Sequence, residues 1–495
     1  MTGSRGRRVA VVLTVMVAAV CTWLWARSTA TARRVSPPIL KIDTKRPGSM
    51  FDRGAVGFST EAGELSRGRL SAAHLSLVRL MRLLGPSVIR IGGNSVDVSW
   101  WTSSGEPPPA WATSTVTPAE LSVLHGLLRA TGWRVLLGVN LGHFEPARAA
   151  DEARVARRVL GHGLLGIELG NEPDDFGHRQ FGLRPSTYGL DEYLSEAETY
   201  IEALKAAAPG VAVYGPATTQ KAGWLTQMGA SGRIFSEITQ HYYATSTCPG
   251  KPPAVAPTLA GLLSPAERQL EDEVLGALAA GSALSRLPTR IGETNDAACM
   301  ASAAVSPVFG SALWALDWTL RAGASGVRGL NFHGNLGGVC GANPESPICA
   351  ESGRAAHDGE LTAQPEYYGL LAASRLEGGR FVPTKLTSSK PLPDLTTWAT
   401  LASDGTLRLA LDNLAVSGGA QPISIPMSGY TATVESLAAA SPDARRGVTL
   451  GRAHVTASGR WRAKPVRVRH RRTLRVVLRP ASAVIVTLRP TRRRR

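Results

Sequence analysis

The stretch Leu169-Gly170-Asn171-Glu172-Pro173-Asp174 decides the fold, because it places an amide and an acid directly after an apolar run. That run, Leu164–Leu169, has the length and the Leu and Ile content of a buried strand. A second strand-like run, Leu287–Gly292, is followed at once by Glu293, 121 positions after Glu172. Two acids at the C-terminal ends of two buried strands predict an α/β protein whose parallel strands open on one polar edge.

Eight strand-like runs alternate with helical patterns between residues 50 and 373. Their number and span fit a (β/α)8 TIM barrel. A doubly wound open sheet is the alternative, but it gathers ligand chemistry at one switch point, whereas Glu172 and Glu293 follow the fourth and seventh runs. All strand ends of a barrel open on one face, so the barrel accounts better for the pair. The predicted strands are Ala55–Thr60, Val88–Ile91, Val135–Val139, Leu164–Leu169, Val211–Tyr214, Ile234–His241, Thr289–Gly292 and Val327–Phe332.

Two helices are predicted to begin with the same capping device. Thr117-Pro118-Ala119-Glu120 and Ser264-Pro265-Ala266-Glu267 each offer an N-cap hydroxyl, a proline at the first helical position and a glutamate three residues after the cap. We therefore expect helices to start at Pro118 and Pro265.

After Glu377-Gly378-Gly379 the pattern changes to short β-rich runs between Gly, Pro, Ser and Asp, which predicts an antiparallel β-sandwich. The predicted division is a barrel over residues 45–373 and a C-terminal sandwich over 374–490, with a strand contributed by residues 36–44. Residues 491–495 form a basic tail, either solvated or an electrostatic tether to anionic lipid or polysaccharide. The predicted sandwich strands are Ile39–Ile42, Thr396–Ala399, Leu407–Leu411, Ile423–Ile425, Ala432–Leu437, Arg475–Leu478 and Ala483–Leu488.

The net charge of +17 is concentrated at the two ends of the chain. Residues 1–34 hold six Lys/Arg and residues 460–495 hold fourteen, with no acid in either segment, which leaves 35 Lys/Arg against 38 Asp/Glu between them. The body is therefore slightly acidic, and we expect no nucleic-acid partner.

The first 34 residues have the pattern of an export segment. Three arginines precede eighteen uncharged, largely apolar residues, Val9 to Ala26, and Ala30-Thr31-Ala32 offers a small-residue cleavage site. The run is also long enough to span a bilayer. We expect a signal peptide or an N-terminal membrane anchor, and hence a protein that is secreted, periplasmic or held on the outer face of the cytoplasmic membrane.

Cysteine usage agrees with export. Besides Cys21 the chain has Cys248, Cys299, Cys340 and Cys349, an even number with no CxxC spacing, which favours disulfides over a metal site. Three pairings are open, of which we favour Cys340–Cys349 and Cys248–Cys299. Neither a metal nor a cofactor is predicted.

Two carboxylates that face each other at one end of a barrel are typical catalytic residues of a glycosidase. In a retaining enzyme one carboxyl protonates the leaving oxygen and the other attacks the anomeric carbon. Glu172 is the predicted acid/base, with a pKa raised by its surroundings, and Asn171 beside it can hold the sugar 2-hydroxyl. Glu293 is the predicted nucleophile, kept ionised by hydrogen-bond donors.

Several motifs resemble glycoside hydrolase family 79, the heparanase and β-glucuronidase family of the barrel clan A. They cover the whole barrel and include the two acid motifs, Glu168-Leu-Gly-Asn-Glu172-Pro-Asp174 and Arg290-Ile-Gly-Glu293-Thr-Asn295. The others are Val88-Ile-Arg90-Ile-Gly-Gly93-Asn94-Ser-Val-Asp97, Thr239-Gln-His241-Tyr242-Tyr243, Gly310-Ser-Ala-Leu-Trp-Ala-Leu-Asp317 and Leu330-Asn-Phe-His333-Gly334.

The resemblance implies a retaining β-glucuronidase that acts on glucuronic-acid-containing glycans or glycosides, with a carbohydrate, in particular an acidic polysaccharide, as its partner. It also implies that a tyrosine hydroxyl at the end of the sixth strand, Tyr242 or Tyr243, contacts the nucleophile. Other predicted substrate-binding residues are Asn94, His241 and His333. Arg90 is either a salt-bridged barrel arginine or a contact for the sugar acid.

The segment after Glu293 departs from the family pattern, because the glycines that help bind the uronate carboxylate are replaced by Thr294-Asn295-Asp296-Ala297-Ala298-Cys299. Asp296 could repel an acidic sugar. A retaining β-glycosidase for a neutral hexoside is therefore an alternative, and a catalytically silent cell-surface glycan-binding protein is the alternative from another class.

Overall fold

A closed barrel of eight parallel strands forms the larger part of the computed structural model, which describes residues 37–177, 182–219, 223–248, 254–299 and 304–491. Each strand pairs with the next along the chain, and the eighth pairs with the first. The prediction of a TIM barrel is therefore confirmed. The strands are β1 Val56–Glu61, β2 Val88–Gly92, β3 Arg134–Val139, β4 Leu164–Leu169, β5 Val213–Thr218, β6 Glu237–Ser246, β7 Thr289–Ala298 and β8 Leu330–His333.

Strands β6 and β7 are longer than predicted, and this changes where Glu293 lies. Both have ten residues and pair with each other up to Ser246 and Ala298. The prediction that β7 ends at Gly292 is therefore wrong, because Glu293 lies inside the strand. The polar residues after Glu293 hid this extension from a reading based on hydrophobicity.

Helices surround the barrel. Their bounds are Gly63–Ser66, Leu75–Leu84, Pro118–Thr131, Pro146–Leu160, Leu190–Ala207, Gly223–Met228, Leu259–Leu262, Pro265–Ser285, Phe309–Ala324, Gly353–His357 and Pro365–Ser374. Short 3-10 turns cover Asn94–Val98, Gly161–Gly163, Pro173–Asp175 and Gly229–Ile234. Large apolar side chains, among them Phe58, Trp133 and Trp318, are buried in the core of the molecule.

The two predicted caps differ in the structure. At the helix of Pro118–Thr131 the capping box is complete, since Glu120 accepts a hydrogen bond from the backbone N–H of Thr117 at 2.8 Å. At Pro265–Ser285 the hydroxyl of Ser264 caps Glu267 N–H, but the Glu267 side chain turns inward and accepts from the Tyr242 hydroxyl at 2.5 Å. The second box is thus only half formed, because a buried partner outcompetes the cap.

The C-terminal part forms two antiparallel-rich sheets around a second apolar core, as predicted. One sheet has the order Met50–Phe51, Gly379–Phe381, Leu395–Leu401, Leu407–Asn413, Ser482–Pro490, Tyr430–Ala438 and Thr449–Leu450, with Val466–Val468 also paired to Tyr430–Ala438. The other has the order Thr384–Thr387, Ile39–Ile42, Gln421–Pro426 and Thr473–Leu478. The early strand at Ile39–Ile42 pairs antiparallel with Thr384–Thr387, so the chain starts in the sandwich, builds the barrel and returns.

Both favoured disulfides, Cys248–Cys299 and Cys340–Cys349, are confirmed. The first joins the loop ends that follow the long strands β6 and β7. Within the described ranges no helix has the length and apolarity needed to cross a bilayer. The predicted export segment of residues 1–34 and residues 492–495 of the basic tail lie outside those ranges.

Removing the Cys248–Cys299 bridge should destabilise the protein more than removing Cys340–Cys349. The first closes a loop with a sequence separation of 51 and the second one of 9, and loop-closure entropy gives roughly 4 and roughly 2.6 kcal/mol respectively. Thermal unfolding of the paired Cys→Ser variants measures this order. A larger loss of Tm for Cys340→Ser/Cys349→Ser would contradict it.

Candidate active site

The turn after β4 holds Glu172 in an unusual backbone conformation. Its φ of 50° lies in the left-handed region, which glutamate rarely adopts. Glu172 N–H donates to the carbonyl of Ala217 at 2.8 Å, and Asp174 accepts from both the N–H and the hydroxyl of Thr219 at 3.0 and 2.6 Å. These bonds to the end of β5 fix the turn and so aim the Glu172 carboxylate.

Asp97 ties together the ends of β3 and β4. It is fully buried, and one carboxylate oxygen accepts from the N–H groups of Leu141 and Gly142 at 3.0 and 2.9 Å. The other oxygen accepts from Asn171 N–H at 3.1 Å. The Asp97 carboxylate thus bonds the backbone N–H groups that follow β3 and β4 and holds the two strand ends together.

A β-bulge in β7 turns Glu293 toward Glu172. Gln240 on β6 is opposite Ile291, but the next residue, His241, is opposite Glu293, so Gly292 is an extra residue. A bulge of this kind bends a strand and re-aims the side chain beside it. A side chain at Gly292 would meet the Glu168 carboxylate at 3.2 Å, a tight fit that favours glycine at this position.

The two acids meet although they are far apart in sequence. A carboxylate oxygen of Glu172, a carboxylate oxygen of Glu293 and a ring nitrogen of His241 all lie within 4.8 Å of one another. This separation is close to the about 5–5.5 Å of retaining glycosidases and well below the about 6.5–9.5 Å that inverting enzymes need for a water molecule.

Arg90 lies beneath both acids and is completely buried. Its Nε donates to Glu168 at 2.6 Å, its Nη1 to Glu293 at 2.6 Å and its Nη2 to the Asn171 side-chain oxygen at 2.9 Å. Of the two roles predicted for Arg90, the structure selects the salt-bridged barrel arginine. The prediction that Arg90 contacts a sugar carboxylate is wrong, because all three nitrogens of its buried guanidinium already donate to protein oxygens.

Charged and polar neighbours keep Glu293 ionised. Burial alone would raise the pKa of this carboxyl, but the charges of His333, His241 and Arg90 and the hydrogen bond from Tyr243 hold it far below the ordinary value of 4.5. Both oxygens accept from protein donors, the Tyr243 hydroxyl on one and Arg90 on the other. The lowered pKa keeps Glu293 ionised at neutral pH, as a nucleophile requires.

The two neighbouring tyrosines point in opposite directions. The Tyr243 hydroxyl donates to Glu293 at 2.6 Å, whereas the Tyr242 hydroxyl donates to Glu267 on the helix outside the barrel at 2.5 Å. Successive residues of a strand face opposite sides. The prediction of a tyrosine at the nucleophile thus holds for Tyr243, and the placement of Tyr242 as a substrate-binding residue is wrong.

The remaining predicted residues surround the pair. His241 Nδ1 lies 3.1 Å from the Glu172 carboxylate, and His333 Nδ1 lies 3.3 Å from Glu293. Asn171 is almost buried, and its amide nitrogen donates to the side-chain oxygen of Asn94 at 3.1 Å, while Asn94 itself is exposed. Asn94 and Asn171 are therefore linked, and only Asn94 is widely open to solvent.

Asp296 does not face the site. It is 1% exposed and accepts a hydrogen bond from Ser306, and burial raises its pKa to about 7. Asn295 instead donates to the carbonyls of His333 and Glu345 at 2.6 and 2.9 Å, which anchors the loop after β8. The sequence-based concern that Asp296 repels an acidic sugar is not supported by this position.

Sequence reasoning missed three contributors, Asp97, Ser59 and Glu61. Ser59 contacts His333 Nδ1 at 3.1 Å, and Glu61 lies 3.7 Å from His333 Nε2 and accepts from Ser95 N–H at 2.8 Å. Glu61 follows the apolar run of β1, so the strand-end signal that identified Glu172 also applied to it. Asp97 was part of a quoted motif but carried no predicted role.

Glu172, His241 and Glu293 also form a donor set that could hold a cation. Arg90 and Tyr243 already occupy the oxygens of Glu293, and a guanidinium supplies the positive charge that a metal would bring. The trio therefore fits a glycosidase pair with an orienting histidine better than a metal centre.

Comparisons with known proteins agree with the motifs. No family model matches the chain. A β-glucuronidase of Aspergillus niger is 26% identical over 322 residues, which are 56% of this chain and 58% of that protein. A β-glucuronidase of Neurospora crassa is 24% identical over 446 residues, which are 76% of this chain and 74% of that protein.

Among solved structures, a rhamnosyl-β-glucuronidase from Fusarium oxysporum superimposes with a TM-score of 0.71 at 21% identity and covers 92% of this chain and 99% of that one. This likeness agrees with the fold described above. Together the three proteins bear out the resemblance to glycoside hydrolase family 79.

Replacing Arg90 with Gln should destabilise the protein by roughly 3–5 kcal/mol at neutral pH, because Glu168 and Glu293 would stay buried without their shared cation. The depressed pKa of Glu293 contributes stability above the ordinary value of 4.5 and loses that contribution as the pH falls toward the folded-state value. The gap between wild type and variant should therefore narrow on acidification. Denaturant unfolding at several pH values measures this difference in the free energy of unfolding. The control Arg90→Lys, which keeps the positive charge, should lose less stability than Arg90→Gln. A difference that does not change with pH would contradict the assignment.

Tyr243→Phe should lower kcat about tenfold to a hundredfold, because Glu293 loses a donor that orients it. Tyr242→Phe is the matched control on the adjacent residue. It should leave kcat unchanged and lower the free energy of unfolding by about 1–3 kcal/mol, because Glu267 loses its partner. Steady-state kinetics and denaturant unfolding test both, and an equal loss of activity in the two variants would refute the assignment.

Proposed function

We propose that this protein is a retaining β-glycoside hydrolase acting on β-glucuronosides. The observation that carries the proposal is the approach of the Glu172 and Glu293 carboxylates to within 4.8 Å at the open end of the barrel. At this distance one carboxylate can reach the anomeric carbon while the other reaches the glycosidic oxygen.

In the first step the Glu293 carboxylate attacks the anomeric carbon, and the Glu172 carboxyl gives its proton to the departing oxygen. The glycosidic bond breaks as a glycosyl ester to Glu293 forms. In the second step Glu172 takes a proton from a water molecule, whose oxygen attacks the anomeric carbon and releases Glu293. Two inversions give net retention.

His241 and Arg90 place the two carboxyls in unequal surroundings. The guanidinium of Arg90 and the Tyr243 hydroxyl stabilise charge on Glu293. His241 lies against the Glu172 carboxyl at 3.1 Å and also within 4.8 Å of Glu293, so it can orient the acid/base without touching the sugar. A pair of acids in unequal surroundings is the arrangement that general acid catalysis beside a nucleophile requires.

A glucuronide is favoured over a neutral hexoside by the relatives, which are named β-glucuronidases. Asp296, which follows Glu293 in place of the family's glycines, faces away from the site and does not repel the carboxylate of a glucuronide. A neutral β-hexoside is the second candidate. A silent glycan-binding protein is disfavoured, since such a protein has no need to hold a buried, ionised Glu293 beside a second carboxyl.

Export is part of the proposal. The apolar run of residues 9–26 is typical of an export segment. The two disulfides of the folded part are typical of proteins in an oxidising compartment outside the cytoplasm. We infer a secreted, periplasmic or membrane-anchored enzyme, whose carbohydrate substrate lies outside the cell.

The test is hydrolysis of a panel of aryl β-glycosides, namely glucuronide, galactoside, glucoside and xyloside. The glucuronide should be the best substrate, and NMR early in the reaction should show the β-anomer of the product. Glu293→Ala should lose at least about 10⁴-fold in kcat. Glu172→Gln should lose about 10²–10⁴-fold on a poor leaving group but much less on dinitrophenyl glucuronide, which needs no proton to depart.

Glu152→Gln is the matched control, because burial raises the pKa of Glu152 to about 8 and the amide resembles its protonated form. It should retain full activity. Wild-type protein that hydrolyses none of the aryl glycosides would contradict the proposal that it is an enzyme. An α-anomeric first product would contradict the role of Glu293 as nucleophile.

A further inference from the structure

A cavity of about 660 Å³ lies where the barrel meets the sandwich, between the helix Leu75–Leu84 and the segment 452–464. We call it the seam cavity. It is separate from the catalytic pair, since its walls come from the outer side of a barrel helix and from a loop of the C-terminal domain. Nothing in the proposed reaction uses it.

The charge of the seam cavity is of one sign. Six of its twelve lining residues are Arg or Lys and none is acidic. Within the described part of the chain, none of these six forms an ion pair. The cationic residues are Arg79, Arg82, Arg452, Arg460, Arg462 and Lys464.

Two of the six cationic side chains donate hydrogen bonds to backbone carbonyls of the protein. Arg79 donates to the carbonyl of Ser458 at 3.1 Å and Arg82 to that of Ala130 at 2.6 Å, which fixes two guanidinium groups in the wall. Arg460, Arg462 and Lys464 are exposed. Like charges held together around a concavity repel one another unless an anion neutralises them, so this arrangement favours an anionic ligand over a merely solvated face.

Trp461 supplies the flat apolar surface of the cavity. Its indole N–H donates to the carbonyl of Leu450 at 3.1 Å, and the Arg375 guanidinium lies 5.8 Å from its ring centre. The ring is held in place and half-buried. An aromatic face flanked by guanidinium groups can pack against a sugar ring while the forks bind its carboxylate.

A second cavity of about 600 Å³ adjoins the first. The two share His454 and Thr456, and the second adds Arg445 and Arg446. Its other wall includes Cys340 and Glu351, which flank the disulfide loop whose Glu345 carbonyl accepts from Asn295 next to the active site. Two adjoining cavities of about 660 and 600 Å³ offer more room than a single small anion needs, which suits a linear chain.

We propose that the seam cavity and the cavity adjoining it bind an acidic polysaccharide through its uronate carboxylates, as a secondary site separate from the catalytic pair. The inference takes its substrate class from the proposed function. We favour the polymer over an anionic membrane, because Trp461 offers a sugar ring a flat apolar surface among the cationic side chains.

The experiment uses the full chain carrying Glu293→Ala, so that binding is measured without hydrolysis. β-Linked polyglucuronate is the probe, with neutral dextran and vesicles of equal parts phosphatidylglycerol and phosphatidylcholine as the other arms. The seam variant Arg460→Gln/Arg462→Gln/Lys464→Gln should bind polyglucuronate about tenfold more weakly, as expected for three lost charge contacts of modest strength. Dextran should not bind.

The matched control is Arg467→Gln/Arg469→Gln/Arg471→Gln, which removes three exposed charges from the same domain outside the cavity. It should weaken binding less than about threefold. Equal weakening in both triple variants, or vesicle binding that depends on the seam while polyglucuronate binding does not, would overturn the proposal.

In the active enzyme the seam variant should raise KM for polyglucuronate and leave kcat/KM for an aryl glucuronide unchanged. If the wild-type protein hydrolyses no aryl glycoside, the proposed function fails, but the binding arms still decide whether the seam is a polymer site.

Discussion

The buried guanidinium of Arg90 is the interaction on which the catalytic end of the barrel depends. A completely desolvated cation on β2 is stable only with opposite charges in contact, and Glu168 on β4 and Glu293 on β7 provide them. The same fork fixes the amide of Asn171. One residue thereby links three strands, holds the nucleophile in its charged form and sets the position of the turn that carries Glu172.

Burial alone does not determine the state of the acids in this protein. Glu152, Glu267 and Asp296 are buried with few or no cations nearby, and burial raises their pKa values to about 8, 8 and 7. Glu293 is equally buried, yet its pKa is lowered, because the charges of His333, His241 and Arg90 outweigh the effect of burial. The sign of the shift follows the neighbouring charges, and this contrast marks Glu293 as a functional carboxylate rather than a structural one.

The basic character of the chain has a spatial explanation. No acidic residue follows Asp443, and the fold places part of this cationic segment against the helix Leu75–Leu84, where Arg79 and Arg82 join it. Part of the surplus charge of the C-terminal segment, namely Arg460, Arg462 and Lys464, therefore lies at the seam between the domains. The catalytic end is arranged differently, because its buried cation, Arg90, is paired with Glu168 and Glu293.

The sequence by itself determined the number of barrel strands, the sandwich and the two glutamates, because hydrophobic runs, turn residues and strand-end acids are local signals. It left three disulfide pairings open, and the tertiary structure decided for Cys248–Cys299 and Cys340–Cys349. The sequence could not decide between Tyr242 and Tyr243, or between two roles for Arg90, because both questions depend on which side of a strand faces the barrel axis. The bulge at Gly292 and the inward turn of Glu267 were equally invisible. They result from pairing between β6 and β7 and from partners remote in sequence, which only the tertiary structure brings into contact.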